Sequence, residues 1–254
     1  MLKLIMKIWL VVFILSFNLF SQEPTADQIV QKVNQLMNQK AVYGVMKMTI
    51  VTTSGKTRTF EYESWSKDNG EKNLIRYTSP ARVRGQAILM LNNADDIWAY
   101  FPRTKRVRKL ATHAKKQKMQ GSDFSYEDMG SGDAFVKDFT AKKLKDEKME
   151  GYDCYKIELT KKKGVNSHYS RLIMWVIKEN YFPVVIDYYD EKDPSLWLKR
   201  MVQYDIKEID GIPTGMKLVM YNKRDNTQTS MEILKVQYII TLDDNMFSER
   251  SLKK

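Results

Sequence analysis

Cysteine and histidine are almost missing. One cysteine, Cys154, and two histidines, His113 and His168, stand in 254 residues. The chain therefore closes no internal disulfide, builds no cysteine-based zinc site and offers no paired-histidine metal motif. Neither histidine has a serine or carboxylate at a spacing that argues for catalysis, and no phosphate loop, dinucleotide fingerprint or nucleophile elbow is visible. The expectation is a non-enzymatic protein with no catalytic residue, no metal and no cofactor. Proline and glycine are scarce, at 6 and 11 residues, and no Pro/Gly/Ser-rich linker divides the chain, so residues 22–254 read as a single domain. Acidic residues fall short of basic ones, 31 against 42, for a net charge of +11. A mean hydropathy of −0.49 excludes a multi-span membrane protein. A hydrophobic content of 43%, with 11% aromatic, excludes a mostly disordered chain.

What is present begins with an address. Lys3 and Lys7 precede the run Ile8-Trp9-Leu10-Val11-Val12-Phe13-Ile14-Leu15, and Ser16, Asn18 and Ser21-Gln22 form a polar exit. That is the pattern of a secretory signal peptide over residues 1–21, short for a transmembrane helix. An uncleaved N-terminal anchor is the alternative. No cysteine follows the apolar run, so the exit is not that of a bacterial lipoprotein. Export makes nucleic acid an improbable partner for the basic mature chain.

Thr25-Ala26-Asp27-Gln28 spells a capping box, and Ile29, Val30, Val33, Leu36 and Met37 then recur at helical spacing. From Val42 onward short β-branched and aromatic runs alternate with turn residues: Val42–Thr52, Arg58–Ser66, Asn73–Thr78, Gln86–Leu91 and Asp96–Phe101. The second half repeats this texture through Lys142–Met149, Asp153–Thr160, Arg171–Lys178, Val184–Tyr189, Leu196–Ile209, Met216–Asn222 and Thr229–Ile240. About a dozen antiparallel strands make a sheet too large to stay flat and covered. Between the halves, roughly Ala111 to Phe139, glycines and acidic residues break the pattern; this stretch reads as one or two short helices over the sheet, or as a flap.

Several strands are apolar on both faces, Leu172–Ile177 and Ala87–Leu91 most clearly. A sandwich or closed barrel filled by its own side chains accounts for this, and so does a concave sheet holding an apolar ligand. Fifteen methionines, counting Met1 and Met6, add a mild push toward the second use, because flexible thioethers suit varied apolar partners, although core filling is the commoner use of methionine.

Three ordered pieces, Arg82-Val83-Arg84-Gly85-Gln86-Ala87-Ile88-Leu89-Met90, Asp95 through Lys109 with Trp98-Ala99-Tyr100-Phe101-Pro102-Arg103, and Gly121-Ser122-Asp123-Phe124-Ser125-Tyr126-Glu127-Asp128, resemble the outer-membrane lipoprotein-sorting protein family, LolA-like in the broad sense. Gly151–Glu158, Leu172–Lys178 with Tyr181-Phe182-Pro183, and Asp187-Tyr188-Tyr189-Asp190 agree with it, and the match covers nearly all of the mature chain. The resemblance implies a mainly β fold with a few helices: a strongly curved antiparallel sheet, an incomplete β-barrel with helices covering its open mouth. It also implies a periplasmic location and an apolar hollow for acyl chains. In the better-known carriers an arginine latches the lid helices; no residue here aligns with it, so none is carried over. Gly121–Gly132 is the candidate lid, with an ordinary surface loop as the alternative.

The candidate hollow residues are Trp65, Met90, Trp98, Tyr100, Ile173, Trp175 and Trp197, together with Met174. Each would serve equally in a plain core, and parity does not choose the facing side of a two-faced strand. Arg103, Lys105, Arg106, Arg108, Lys109, Lys115, Lys116 and Lys118 crowd one stretch without an acidic residue. Arg103, Arg106, Arg108 and Lys109 are the candidates for docking to an anionic membrane surface or holding a phosphorylated headgroup; a charged edge that deters strand pairing is the alternative. Asp123, Glu127 and Asp128 read as helix-end charge or as partners for that basic run, with a carboxylate pair or weak cation site as the alternative, and Cys154 reads as a buried, inert thiol. The expected function is a carrier of lipid or lipoprotein acyl chains to the outer membrane, with a transporter or acceptor of the envelope as partner. An envelope sensor or adaptor binding a protein or anionic glycolipid is the alternative.

Overall fold

The computed structural model describes residues 23–130 and 132–253, so the expected leader lies outside the described residues. Its first element is the helix that the capping box announces. Gln28 N donates to Thr25 Oγ1 at 3.3 Å and Thr25 N to Gln28 Oε1 at 2.9 Å, and α1 runs Ala26–Met37 with Ile29, Val30 and Val33 buried. Among the described residues no helix is long and apolar enough to cross a membrane.

Fourteen strands follow among the described residues. The first six are β1 (Ala41–Val51), β2 (Thr57–Lys67), β3 (Lys72–Ser79), β4 (Ala87–Leu91), β5 (Asp96–Phe101) and β6 (Arg106–Lys109). They form a meander that starts at the middle of the sheet and ends at one edge. The chain then crosses through two short 3₁₀ segments, Thr112–Lys116 and Met119–Gly121, and two short helices, α2 (Tyr126–Gly130) and α3 (Ala134–Lys137). It re-enters the sheet at the opposite edge with β7 (Phe139–Lys143) and returns to the middle by β8 (Glu147–Met149), β9 (Tyr152–Lys161), β10 (Tyr169–Ile177), β11 (Pro183–Asp190), β12 (Trp197–Ile209), β13 (Ile212–Asn222) and β14 (Thr227–Gln237). β1 and β14 close the seam side by side, with Met48 opposite Met231. All pairings are antiparallel, and the edge strands β6 and β7 are not joined to each other. The sheet is open.

Its curvature follows from what α2 touches. A five-residue helix is about 7.5 Å long, yet a Cβ on Gly130 would lie 3.4 Å from Met90 Cβ of β4. Asp128, two residues earlier, meets Tyr169 of β10 and Lys199 of β12. β4 and β10 are eight strand steps apart in the sheet order, which would separate them by about 38 Å in a flat sheet at about 4.8 Å per step. The sheet must therefore wrap round, and residues 111–130 and 132–138 lie across its open side.

Strand parity sorts the side chains into an inner and an outer set. Phe60, Tyr62, Ile75, Tyr77, Ile88, Met90, Ile157, Leu159, Leu172 and Met174 point inward with α1, Met119 and Phe124 in one buried cluster. On the outer face of the N-terminal wing, Leu74 and Leu89 pack with Leu242, Phe247 and Leu252 of the C-terminal segment. Lys67 Nζ donates to Leu242 O at 3.0 Å, and Arg76 Nη2 to Ser251 O at 3.1 Å, pinning that segment to β2 and β3. This is why strands with no helix on the outside are apolar on both faces.

The strand count exceeds the expected dozen for two local reasons. Lys142–Met149 is two short strands, β7 and β8, with Leu144 to Asp146 between them. β6 carries one apolar residue, Val107, among basic ones, the composition of an exposed edge that resists pairing.

Candidate functional site

The inner face is soft and full. Met48, Met90, Met119, Met174, Met201, Met220 and Met231 all belong to the interior cluster. Tyr62, fully buried, donates its hydroxyl to Met231 Sδ at 3.4 Å. Its ring sits 5.6 Å from that of Tyr77, which lies 6.0 Å from Phe60. The Tyr77 hydroxyl is buried and has no hydrogen-bond partner among the described residues. A small void of about 30 Å³ remains between α2, α3 and the inner ends of β10 and β11, lined by residues that include Glu127, Phe135, Tyr169 and Leu172. It is roughly the volume of one water molecule.

The cover is held by charged groups more than by its short helices. Asp123, 3% exposed, accepts hydrogen bonds from Thr227 Oγ1 at 2.6 Å, Thr229 Oγ1 at 2.8 Å and Asn222 Nδ2 at 3.1 Å. Asp128 accepts from Ser125 N at 2.6 Å, Tyr169 Oη at 2.7 Å and Lys199 Nζ at 2.5 Å. Lys199, 6% exposed, also donates to Asp123 O at 3.2 Å, and its ammonium lies about 5 Å from the ring centres of Tyr169 and Tyr188. Glu127 accepts from Ser167 Oγ and from His168 N. The motif Ser122–Asp128 thus builds a polar latch onto β10, β12, β13 and β14. Further along, Asn38 Nδ2 at the end of α1 donates to Gly132 O at 2.9 Å. Gly132 and Gly70, both at positive φ, approach so closely that a Cβ on Gly70 would stand 2.9 Å from Gly132 Cα.

Burial raises the Glu127 carboxyl above the ordinary glutamate value; its bonds from Ser167 and His168 and the charge of Lys115 oppose the shift, and Asp128 adds to it. The folded state therefore holds that proton more tightly than the unfolded chain. The stabilising contribution is complete at low pH and is lost as pH rises through the folded value. Glu127→Gln, which cannot ionise, is expected to gain stability relative to the parent chain as pH rises from about 4 to about 7. Urea unfolding across that range measures it, and a constant difference between the two proteins would contradict it.

The basic run divides into two groups. Lys115 pairs with Asp95 at 2.8 Å, Lys116 with Glu191, and Lys118 with Asp225 at 2.7 Å; of the three, Lys118 also reaches the latch, with Asp123 as its second partner. Lys109 pairs with Asp96 at 2.6 Å and lies over the Trp98 ring on the outer face. Arg103, Arg106 and Arg108 have no carboxylate partner among the described residues, and Arg103 and Arg108 line an open groove of about 620 Å³ with Arg82 and Arg84. Of the four proposed docking residues, Lys109 is thus paired with a carboxylate and the three arginines are not.

The structure also divides the seven hollow candidates. Met90 faces the interior, beneath α2. Trp65, Trp98 and Tyr100 lie on the opposite face, packed with the C-terminal segment. Trp65 stands opposite Leu74, and Leu89 opposite Trp98, in one cross-strand row. Ile173 and Trp175 take the outer face of the C-terminal wing, opposite in parity to the interior Leu172 and Met174. There Trp175 Nε1 donates to Glu147 Oε1 at 2.6 Å and Arg200 lies over both Trp175 and Trp197. The placement of Trp65, Trp98, Tyr100, Ile173, Trp175 and Trp197 in a shared hollow is corrected: on a strand covered on both sides, tryptophan packs as well outside as inside. Met174, named beside them, is interior.

Cys154 is buried, and desolvation raises its thiol to about 11, so it stays a thiol. Among the described residues no group of three or more His, Cys, Asp or Glu side chains is placed to hold a metal ion. Lys199, Tyr169 and Ser167 complete the latch but carried no motif in the sequence. In the sequence Lys199 stands next to Arg200 between Leu198 and Met201, and nothing there marks it as inward-facing.

A family model described as "uncharacterized protein" matches residues 69–254. No curated protein matches the chain. Among solved structures, one described as an outer membrane lipoprotein-sorting protein domain from Vibrio parahaemolyticus is 25% identical with a TM-score of 0.81, covering 90% of this chain and 98% of that one. A DUF1329 family protein from Desulfovibrio piger is 29% identical with a TM-score of 0.82, covering 89% of this chain and 97% of that one. A LolA superfamily protein from Nitrosomonas europaea shares the fold at 22% identity, with a TM-score of 0.75 and coverage of 90% and 99%.

Proposed function

Because this chain belongs to the LolA-like, outer-membrane lipoprotein-sorting family, we propose that it is an exported, non-enzymatic carrier that takes acyl chains of a lipid or lipoprotein between its curved sheet and its cover. The observation that carries this reading is the pairing of a methionine-rich inner face with a cover fastened by a polar latch. Transferring an acyl chain to water costs about 0.8 kcal/mol per methylene, so a 16-carbon chain faces roughly a dozen kcal/mol in crossing an aqueous compartment unaided. A shell that covers the chain lowers that barrier. Its grip must then be limited, and closing the cover over an interior filled by its own side chains supplies the competing state that expels the cargo.

In this scheme Met90 and Met174 contact the chain, and their rotamer freedom lets the same surface pack with or without cargo. Arg106, with Arg103 and Arg108, faces an anionic membrane surface, where each basic side chain contributes about 1 kcal/mol. The donor and acceptor are complexes of the envelope.

Native mass spectrometry of the mature protein from its own envelope tests the proposal. A lipid or acylated peptide at one per chain, released to acceptor vesicles, is the expected result. A chain that stays empty while it binds a protein partner saturably would favour the adaptor reading.

A further inference from the structure

The open groove brings four arginines together. Arg82 and Arg84 come from the β3–β4 connection, Arg103 from the β5–β6 turn and Arg108 from β6, so the fold gathers them from separate pieces of chain. No carboxylate lines the groove, and none of the four pairs with one within salt-bridge distance among the described residues. Their held contacts are of other kinds. Arg84 Nε donates to Thr78 O at 3.0 Å, and Arg108 Cζ lies 6.0 Å from the Phe101 ring centre. At about 620 Å³ the groove has the size of a small-molecule site. Guanidinium forks match phosphate oxygens in pairs, which a cluster of lysines does not.

The groove also adjoins the interior. Arg82 Cζ lies 5.3 Å over the ring of Phe60, a buried member of the inner cluster, and Val83 packs against that cluster. Behind Phe60 stands Tyr77, with its buried and unpartnered hydroxyl. Val83 both lines the groove and packs against the interior cluster, so the groove and the inner face share a wall.

We propose that this groove binds the phosphate group of the cargo, so that the protein selects phosphorylated amphiphiles over uncharged ones. The proposal rests on the carrier reading for the fate of the acyl chain, but the phosphate site itself does not. The test compares pyrene-labelled phosphatidic acid with the diacylglycerol of identical chains, together with glycerol 3-phosphate, on the mature protein. The parent chain is expected to bind phosphatidic acid at least about tenfold tighter, and Arg84→Gln with Arg108→Gln to bring that ratio within about twofold. Both side chains are exposed, so these variants should fold; the corresponding Arg→Lys pair is expected to recover part of the preference.

Equal binding of the two amphiphiles by the parent chain overturns the phosphate site and leaves the carrier reading standing. So does a preference that survives in the glutamine pair. Arginine-dependent binding of glycerol 3-phosphate without binding of either amphiphile supports the site for a free phosphate compound and removes the carrier reading.

Discussion

Asp128→Ala is expected to cost about 3–5 kcal/mol of folding stability, because it leaves the buried Lys199 ammonium without its carboxylate. The remaining partners of Lys199, the Asp123 carbonyl and two aromatic faces, do not neutralise it. The same change strips the hydrogen-bond partner from Ser125 N and from the Tyr169 hydroxyl. Urea unfolding should therefore show a lowered midpoint, and hydrogen exchange should quicken first across residues 115–130. Adding Lys199→Met removes the stranded charge and is expected to restore most of the loss, since an apolar replacement of a buried pair is often neutral or better. If cover release admits cargo, Asp128→Ala also speeds acyl exchange by about tenfold or more. A loss below about 1 kcal/mol would show that the pair does not fasten the cover.

The second large effect separates the two faces of the N-terminal wing. Met90, fully buried beneath α2, is expected to cost about 2–5 kcal/mol on substitution by alanine. The space it vacates lies on the proposed acyl path, so acyl retention should change as well. Trp98→Asp is expected to act elsewhere. It places a carboxylate against Leu89 and the C-terminal segment, lowering stability by about 2–3 kcal/mol and exposing residues 240–253 to proteolysis. Acyl retention should remain within about twofold of the parent. Abolished retention in the folded Trp98 variant would move the acyl site to the outer face.

Much of the architecture was legible residue by residue. Thr25 and Gln28 announced α1, and the turn residues between β-branched runs marked most strands. The glycines and carboxylates from Gly121 onward marked the cover. The facing of the side chains was not legible, and the reason is physical. A one-sided sheet declares its core by alternation, whereas Leu172–Ile177 is buried on both faces and declares nothing. The outer cover of the N-terminal wing is the irregular C-terminal segment around Leu242, Phe247 and Leu252, which has no periodicity to read. The latch was half legible: Asp123, Glu127 and Asp128 stood out in one motif, but Ser167, Tyr169 and Lys199 are brought to them only by folding. The groove shows the same limit, because Arg82 and Arg84 meet Arg103 and Arg108 only across two strand connections.

The central claim is that acyl chains lie on the inner face of the sheet, beneath the cover. It is tested most directly by loading the mature protein with a lipid whose acyl chain carries a photoreactive diazirine, irradiating, and mapping the adducts by peptide mass spectrometry. Adducts on Phe60, Met90, Met174 and the cover residues Met119 and Phe124 are the predicted result. Adducts confined to Trp65, Trp98, Tyr100 or Trp175, on the outer faces, would contradict it.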